Sequence, residues 1–514
     1  MNALLDGVTI VASAAAIAVA GLRWLRVAQR EHYIAGRVRR IAGLWFSRSR
    51  PDAVLAVLAG VLAVAACVRP TAWLAVPAAA LVALLPRGLG IRGSTSALTW
   101  TSRLRRLVGV WVVLLVVLAA VVVLLIGPGG LALLAVTVPL TVDAALVVTD
   151  VIERRLSAPF VEQAQRRLAR VRPQVVAVTG SYGKTSTKGY IAHVLSASTA
   201  VVASPASFNN RLGLSRAVND GLVDGTEVFV AEMGTYGPGE IRELCRLFPP
   251  DVAVITTIGE AHLERMRTTE TVLAAKSEIT ERATTVVLPV DATDLAGLAE
   301  RCRAQGKRVI TCSVTGLPAD VVVDLASGQV AVRTEDGSTV TLPIGEGVAH
   351  AVNLGVALGV ALAVGVDVAS LGPRLRSLPR AAHRAEVQDP GTGVLVVDDT
   401  YNANPIGAHA ALEEAAGLAA STGGRLVVVT PGIVELGPVQ HRRNADFAQA
   451  AAEAGAHVVV VGRTNRLALV QGARLGGGEP DVVDHRAQAV PLATAKAGPG
   501  GVILYENDLP DHYP

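Results

Sequence analysis

The residues best equipped for chemistry lie in one short run. The β-branched segment Gln174–Thr179 leads into Gly180-Ser-Tyr-Gly183-Lys184-Thr185-Ser186, and a helical pattern follows. Backbone N–H groups at a glycine-rich turn and a helix N-terminus bind phosphate. A lysine in that turn reaches the terminal phosphates of a nucleotide, and a hydroxyl takes Mg2+. The strict form of the pattern has glycine at 178, where this chain has Val178, so the loop is a shortened one. It predicts a nucleotide site on Gly180, Gly183, Lys184, Thr185 and Ser186. The alternative is a glycine-rich structural turn.

Other polar residues follow other β-branched runs. Glu227–Ala231 ends in Glu232, and Asp251–Thr257 leads to His262, with a helix carrying Lys276 just beyond. A carboxylate and an imidazole suit a divalent cation that bridges phosphate oxygens. A lysine in that company repels a metal, so from its type alone Lys276 is a puzzle. Gly393–Val397 ends in Asp398-Asp399, with Tyr401 close behind; adjacent carboxylates there suit ribose hydroxyls or a metal, and the Asn/Pro residues around them also make turns. The chain has only five lysines, at 184, 188, 276, 307 and 496. Two of the five fall in this set.

These residues need a frame that brings them to one edge. From Gln174 onward, short β-branched runs alternate with Ala/Leu-rich helical segments, the pattern of an α/β fold with a mostly parallel sheet. In such sheets ligands bind outside the carboxyl ends of the strands, where the polar residues fall. The first 150 residues read differently, with five apolar stretches at Val8–Leu25, Ala53–Val68, Thr71–Leu85, Leu107–Ile126 and Leu131–Val148. The fourth is long enough to span ~30 Å of hydrocarbon. The second and third are short, and read as two tight spans or one re-entrant pair. The fourth and fifth, joined by Gly127-Pro128-Gly129-Gly130, read as a helical hairpin. Arginines crowd two connections, 26–50 and 87–106, which the positive-inside rule makes cytoplasmic. Five spans then place the N-terminus outside and everything after Asp150 in the cytoplasm. Asp143, inside the fifth stretch, is either functional or turned toward a neighbouring helix. Residues 151–173 read as a connector helix that lies along the membrane surface or leads into the next domain.

Composition agrees with this division. The chain has 514 residues, 51% hydrophobic and 18% charged, with a mean hydropathy of +0.45. Disorder is excluded by the high hydrophobicity. A net charge of +4 gives no ground for a nucleic-acid partner. That total joins unlike halves: residues 1–156 hold 16 arginines and six acids, net +10, and the remainder is net −6. The four cysteines are far apart and form no CxxC pair, which argues against a disulfide framework or zinc ribbon.

The chain resembles the Mur ligase family over roughly residues 175–440, and within it the members that add D-alanyl-D-alanine. The strings that carry the resemblance are TGSYGKTSTK (179–188), FNNRLGLS (208–215), EMGTYGPGEI (232–241), TTIGEAHLERM (256–266), AAKSEI (274–279), HRAEV (383–387) and DDTYNANP (398–405), with Asn353 in a helix between. The fold it implies is an N-terminal helical transmembrane region (1–150), a connector (151–173), a P-loop Mur ligase central domain (174–378) and a Rossmann-like C-terminal ligase domain (379–514).

The activity it implies is ATP-dependent carboxylate–amine ligation through an acyl phosphate, with ATP and Mg2+. By position, Lys184 would hold the β/γ-phosphates, Thr185 and Glu232 one Mg2+, and His262 a second. Lys276 matches a carbamylated lysine, which would turn a cation into a metal-binding anion. Asn353 would lie near the adenine, Arg384 would bind phosphate, and Asp399 and Tyr401 would contact nucleotide. The implied partners are a carboxylate-bearing envelope precursor, a UDP- or lipid-linked muropeptide, and an amino acid or dipeptide amine. The implied place is the cytoplasmic membrane, multi-pass, in contact with membrane lipid.

Four departures stand out. The family's UDP-binding N-terminal domain is replaced by the apolar block, Val290-Asp291-Ala292 stands where Asn-Asp-Asp is usual, Ala349-His350 stands where His-Asn is usual before the helix of Asn353, and Glu506-Asn507-Asp508 stands near where Lys-Gly-Ser-Arg is usual. Two alternative readings are a poly-γ-glutamate synthase-like ligase and a non-catalytic nucleotide-binding membrane protein.

Overall fold

The computed structural model describes residues 2–93, 97–345, 350–379, 386–389, 391, 393–400 and 404–514. Two sheets carry the chain after residue 173. In the first, strands β1 (Gln174–Thr179), β2 (Val201–Ala203), β3 (Val228–Glu232), β4 (Val252–Ile255), β5 (Thr285–Pro289), β6 (Arg308–Ser313), β7 (Val321–Asp324), β8 (Gln329–Arg333) and β9 (Thr339–Pro343) stand in the order β2-β3-β1-β4-β5-β6-β7-β8-β9. Pairing is parallel from β2 across to β7 and antiparallel through β8 and β9. Helices cover both faces, so the central strands are continuous Val/Ala runs: Val175–Val178 and Phe229–Ala231 are fully or almost fully buried.

The second sheet has strands β10 (Glu386–Gln388), β11 (Leu395–Asp399), β12 (Leu426–Thr430), β13 (His457–Val461), β14 (Asp481–Val483) and β15 (Val502–Glu506), in the order β10-β11-β15-β12-β13-β14. Only β10 is antiparallel to its neighbour. The mostly parallel α/β frame expected from the sequence is present in both sheets.

The N-terminal block departs from the five-span expectation. Two helices, Leu4–Arg30 and Ser102–Leu125, are long and apolar enough to cross a membrane. A third crossing exists only if the bent pair Pro128–Val136 and Val138–Val171, angled at 73°, acts as one. The second and third apolar stretches form helices Arg50–Ala65, of 16 residues, and Ala75–Leu84, of 10. At 1.5 Å per residue these reach only ~24 and ~15 Å, short of a ~30 Å core. They pack on each other and on Leu4–Arg30 and Leu131–Val136 through small residues such as Ala63, Ala75, Ala78 and Ala79. The division near residue 150 also moves, because Val138–Val171 is one 34-residue helix. No glycine breaks it, and Pro159 lies inside it. Its far end buries Ala164 and Leu168 against Leu214, Ala217 and Phe229 of the first sheet's layer. The connector therefore leads into the next domain.

Asp143 faces a neighbouring element. Its carboxylate accepts the backbone N–H groups of Gly36, Val38 and Arg39 at 2.9, 3.2 and 2.9 Å. These are among the unpaired donors of helix Arg37–Arg48, so Asp143 acts as a cap supplied from outside the helix.

The tail after β15 ties the second sheet to this block. Arg26, fully buried, meets Asp511 at 2.7 Å. His512 donates from Nε2 to Glu31 at 2.9 Å, and Trp45 Nε1 donates to the His512 carbonyl at 2.9 Å. The Pro514 carbonyl oxygen accepts from Thr464 Oγ1 at 2.8 Å.

Glu506 ends β15 in full burial. Thr430 donates to its Oε2, and among the described residues Oε1 has no partner. Burial pushes its pKa up to about 8, with the nearby Asp399 adding to the shift and Thr430 opposing it. A carboxyl raised in the folded state keeps its full stability below the unfolded value and loses it as pH climbs toward the folded one. Glu506→Gln should therefore melt with the native protein near pH ~4 and melt higher at pH ~9. Thermal unfolding of the full chain at the two pH values checks this; an equal gap at both would refute it.

Candidate active site

Strand β1 stops at Thr179 because Gly180 takes φ +155°, and helix Lys184–Leu195 starts after Gly183 at φ +77°. Neither position has room for a side chain. A Cβ on Gly180 would stand 1.9 Å from Thr256 Oγ1, and one on Gly183 would stand 2.6 Å from Asn353 Oδ1. The loop is thus closed from one side by the end of β4 and from the other by Asn353. Thr256 Oγ1 donates to the Tyr182 carbonyl, and Thr257 Oγ1 accepts the Tyr182 N–H at 3.1 Å.

Two ammonium groups converge on one carbonyl. Lys184 and Lys276 each donate from Nζ to Gly180 O, both at 2.9 Å. Lys276 is 1% exposed. Burial drives its pKa well below the usual lysine value, and the Lys184 charge pushes the same way. A neutral primary amine is the form that adds to CO2. The packed environment therefore favours the neutral, reactive form of Lys276.

Glu232 closes β3 beside this loop, 1% exposed. Thr185 Oγ1 donates to its Oε2 at 3.0 Å, Lys188 Nζ pairs with the same oxygen at 3.0 Å, and Asn209 Nδ2 donates to Oε1 at 3.2 Å. The residue types alone do not single out Lys188 or Asn209. Both lie inside strings that carry the family resemblance, and Lys188 is one of five lysines. Among the described residues no three His, Cys, Asp or Glu side chains gather to hold a metal. The donors at Glu232 are instead a carboxylate and a hydroxyl, hard oxygens that suit Mg2+ once phosphate oxygens complete the shell.

His262 takes the left-handed conformation at φ +60°. Its Nδ1 donates to Glu435 Oε2 at 2.8 Å, which leaves Nε2 without a hydrogen-bond partner among the described residues. Burial lowers its pKa, outweighing Glu435, and Lys276 and Lys184 lower it further. Burial alone would raise Glu435, but the His262 hydrogen bond and the Arg37 charge hold it well below the usual carboxylate range. Arg37 donates from Nη2 to Glu435 Oε1 at 2.6 Å. Glu435 follows β12, and nothing in the sequence marks it. It gains its place because the second sheet docks on the first, where Arg443 grips Glu260 through two bonds of 2.6 Å.

The structure brings Gly180, Gly183, Lys184, Thr185, Glu232, Lys276 and Asn353 into one neighbourhood, with Ser186 buried in the first turn of the helix. Asp399 lies elsewhere, at the end of β11 in the second sheet, paired in register with Glu506. Arg384 and Tyr401 fall outside the described residues. Asp291 is taken up by structure, accepting from Ser313 Oγ at 2.7 Å and from the Val314 N–H at 3.0 Å.

Comparison with known proteins agrees with the motifs. Residues 178–361 match the Mur ligase middle domain, and residues 383–505 match the Mur ligase glutamate ligase domain. The UDP-N-acetylmuramoyl-tripeptide–D-alanyl-D-alanine ligase of Mycobacterium leprae is 31% identical over 367 residues, covering 64% of this chain and 70% of that protein. The chain belongs to the Mur ligase family. The Bacillus subtilis ligase of the same name is 29% identical over 54% of this chain and 60% of its own length. With the Mycobacterium tuberculosis ligase the match spans 49% of that protein. Among solved structures, MurF from Acinetobacter baumannii has a TM-score of 0.56 at 26% identity, covering 68% of this chain and 77% of its own. MurF from Thermotoga maritima, in complex with ADP, has a TM-score of 0.54 at 25% identity, covering 68% and 80%. The chain is thus a Mur ligase enzyme of MurF-like fold.

The geometry makes Lys276, buried on its own helix, separable from Lys184 at the start of helix Lys184–Leu195. Lys276→Ala should lower acceptor-dependent ATP turnover about 100-fold or more, with partial recovery on adding a short carboxylic acid, and Lys184→Ala should lose turnover with no such recovery. Phosphate-release kinetics on the two variants check this; full activity of Lys276→Ala would refute it.

Proposed function

We propose that this Mur ligase is an ATP-dependent carboxylate–amine ligase that works at the cytoplasmic face of the membrane on a peptide-bearing envelope precursor. The observation that carries the reading is the pair of lysines on Gly180 beside the buried Thr185–Glu232 contact. That arrangement sets the Lys184 side chain where phosphate oxygens would lie, with a buried neutral amine and hard oxygen donors next to it.

The reaction runs in two steps. A carboxylate oxygen of the acceptor attacks the γ-phosphorus of ATP, the bond to the β-phosphate oxygen breaks, and ADP leaves. The amine of the second substrate then attacks the acyl carbon. The tetrahedral adduct loses a proton and expels phosphate, leaving an amide. Lys184 neutralises the transferring phosphoryl group, and the loop N–H groups orient it. Thr185 and Glu232 would hold one Mg2+ and His262 Nε2 a second, with carbamylated Lys276 as a further ligand; bound there, the cations would neutralise phosphate charge. Lys188 and Asn209 fix the Glu232 carboxylate so that it meets the cation already oriented. Asn353, packed against Gly183, lies where adenine would approach the loop, and Asp399 would meet nucleotide from the second sheet.

The carboxylate substrate is a muramoyl peptide and the amine a D-alanyl-D-alanine-like dipeptide, by analogy with the relatives named above. The apolar N-terminal helices support a membrane-held enzyme. Val113, Val116, Leu124 and Leu125 of Ser102–Leu125 are exposed, as a lipid-facing surface would be. An odd number of crossings, three if the bent pair counts as one, keeps the N-terminus outside and the ligase domains in the cytoplasm.

Full-length protein in lipid nanodiscs, given ATP, Mg2+ and D-alanyl-D-alanine, should release phosphate only when a muramoyl tripeptide is added, and the product mass should show one new amide. ATP binding without acceptor-dependent turnover would overturn the ligase reading in favour of a nucleotide-binding scaffold.

A further inference from the structure

The seam between the helical block and the second sheet's domain holds two adjoining cavities. The larger, of about 950 Å3, is lined by five arginines: Arg48, Arg50, Arg87, Arg463 and Arg466. Among the described residues of its lining the carboxylates are Asp52 and Asp484. Arg87 holds Asp52 at 2.6 Å, and Arg466 holds Asp484 at 2.7 Å, with Arg463 3.8 Å from the same oxygen. Arg48 and Arg50 have no carboxylate partner among the described residues. The lining therefore carries a formal surplus of three positive charges, two of them on guanidinium groups free to bind.

This cavity sits at the base of an apolar surface. Arg50 opens helix Arg50–Ala65, along which Val54, Val57, Val61 and Val64 are 59–67% exposed. Arg87 follows helix Ala75–Leu84 by three residues. Arg463 and Arg466 come from the opposite wall, after β13. The site is half membrane block and half ligase domain.

The second cavity, about 260 Å3, shares Arg48 and Leu467 as walls with the first. It continues past Leu44 and Tyr513 to Glu264 and Gly437. Glu264 is two residues from His262, and Gly437 is two from Glu435, the pair joined at 2.8 Å. The two cavities adjoin at Arg48 and Leu467, and their combined lining runs from the arginines at the apolar edge to Glu264 and Gly437, each two residues from the His262–Glu435 pair.

We propose that this groove holds a phosphate-bearing amphiphile, with its phosphate or diphosphate among the five guanidinium groups and its polar portion directed along the second cavity toward His262. Guanidinium forks match phosphate oxygens in geometry as well as charge, and basic pockets at the cytoplasmic ends of apolar helices select anionic head groups. The direction toward His262 rests on the ligase reading; the phosphate site itself does not. If the ligase reading holds, the groove makes the acceptor lipid-linked, with the membrane block taking over a task that a soluble sugar-nucleotide domain would perform.

The test is retention of ligand by the full chain, measured by native mass spectrometry from phosphatidylcholine nanodiscs. Three probes are compared: a polyprenyl diphosphate, phosphatidylglycerol and inorganic diphosphate. The polyprenyl diphosphate should be retained best, and the double variant Arg48→Gln/Arg50→Gln should weaken it about tenfold or more, with ATP affinity unchanged as the check on folding. Arg48→Lys/Arg50→Lys, which keeps the charge, should retain most of the binding and covers the case in which the glutamine variant misfolds. Equal retention of phosphatidylglycerol with the same sensitivity supports the phosphate site and assigns it to bulk anionic lipid. Equal competition by inorganic diphosphate would overturn the amphiphile and leave a site for free phosphate. Unchanged retention of all three probes in the glutamine variant overturns the proposal. Because no turnover is read, failure of this site and failure of the ligase reading are separate results.

Discussion

The carbonyl of Gly180 receives two lysines, and the rest of the site follows from that crowding. Two ammonium groups on one neutral acceptor, one of them almost wholly buried, repel each other and lose hydration. The fold tolerates this only where one amine gives up its proton or an anion arrives. In the function proposed above, a neutral Lys276 would be the reactive form of the amine and Lys184 would meet the phosphate. The backbone has no freedom to relieve the crowding. Thr256 and Asn353 press on Gly180 and Gly183 from opposite sides, and Glu232 is held by three donors rather than left to swing toward the lysines.

A second layer of constraint joins the two sheets to the helical block. Glu435 lies between Arg37 and His262, so one carboxylate of the C-terminal domain touches both the N-terminal block and the central domain. Arg40 with Glu264, Arg443 with Glu260, and the tail through Asp511 and His512 reinforce the same seam. Several of these pairs are partly buried, and breaking one side leaves a charge without its partner. Movement of the C-terminal domain toward or away from nucleotide would therefore be registered by helix Arg37–Arg48, which Asp143 anchors in turn.

Much of the site was legible because its residues are local. Gly180 to Ser186 occupy seven consecutive positions, and Glu232 terminates a run whose strand character is plain. The strand edges shifted by a residue or two, as with Val228–Glu232 in place of Glu227–Ala231, with no effect on what the end of the strand presents. Contacts made by packing were not legible. Lys276 meets Gly180 across 96 residues, and Glu435 meets His262 across 173; no spacing rule encodes either. The membrane block shows the opposite failure. Apolar composition was read as span, but a stretch of alanines and valines serves equally for a short helix packed on its neighbours, and hydropathy does not separate the two. The composition of helix Val138–Val171 changes near 150 and suggests a boundary there, while its backbone has no reason to stop.

The most direct test of the central claim, that this lysine-crowded loop drives amide formation through an acyl phosphate, is isotope transfer. An acceptor labelled with 18O in its reacting carboxylate is incubated with ATP, the amine substrate and the full-length protein, and the released phosphate is analysed by mass. The account predicts one 18O atom in each phosphate formed alongside amide. Phosphate free of label, with amide still produced, would contradict it.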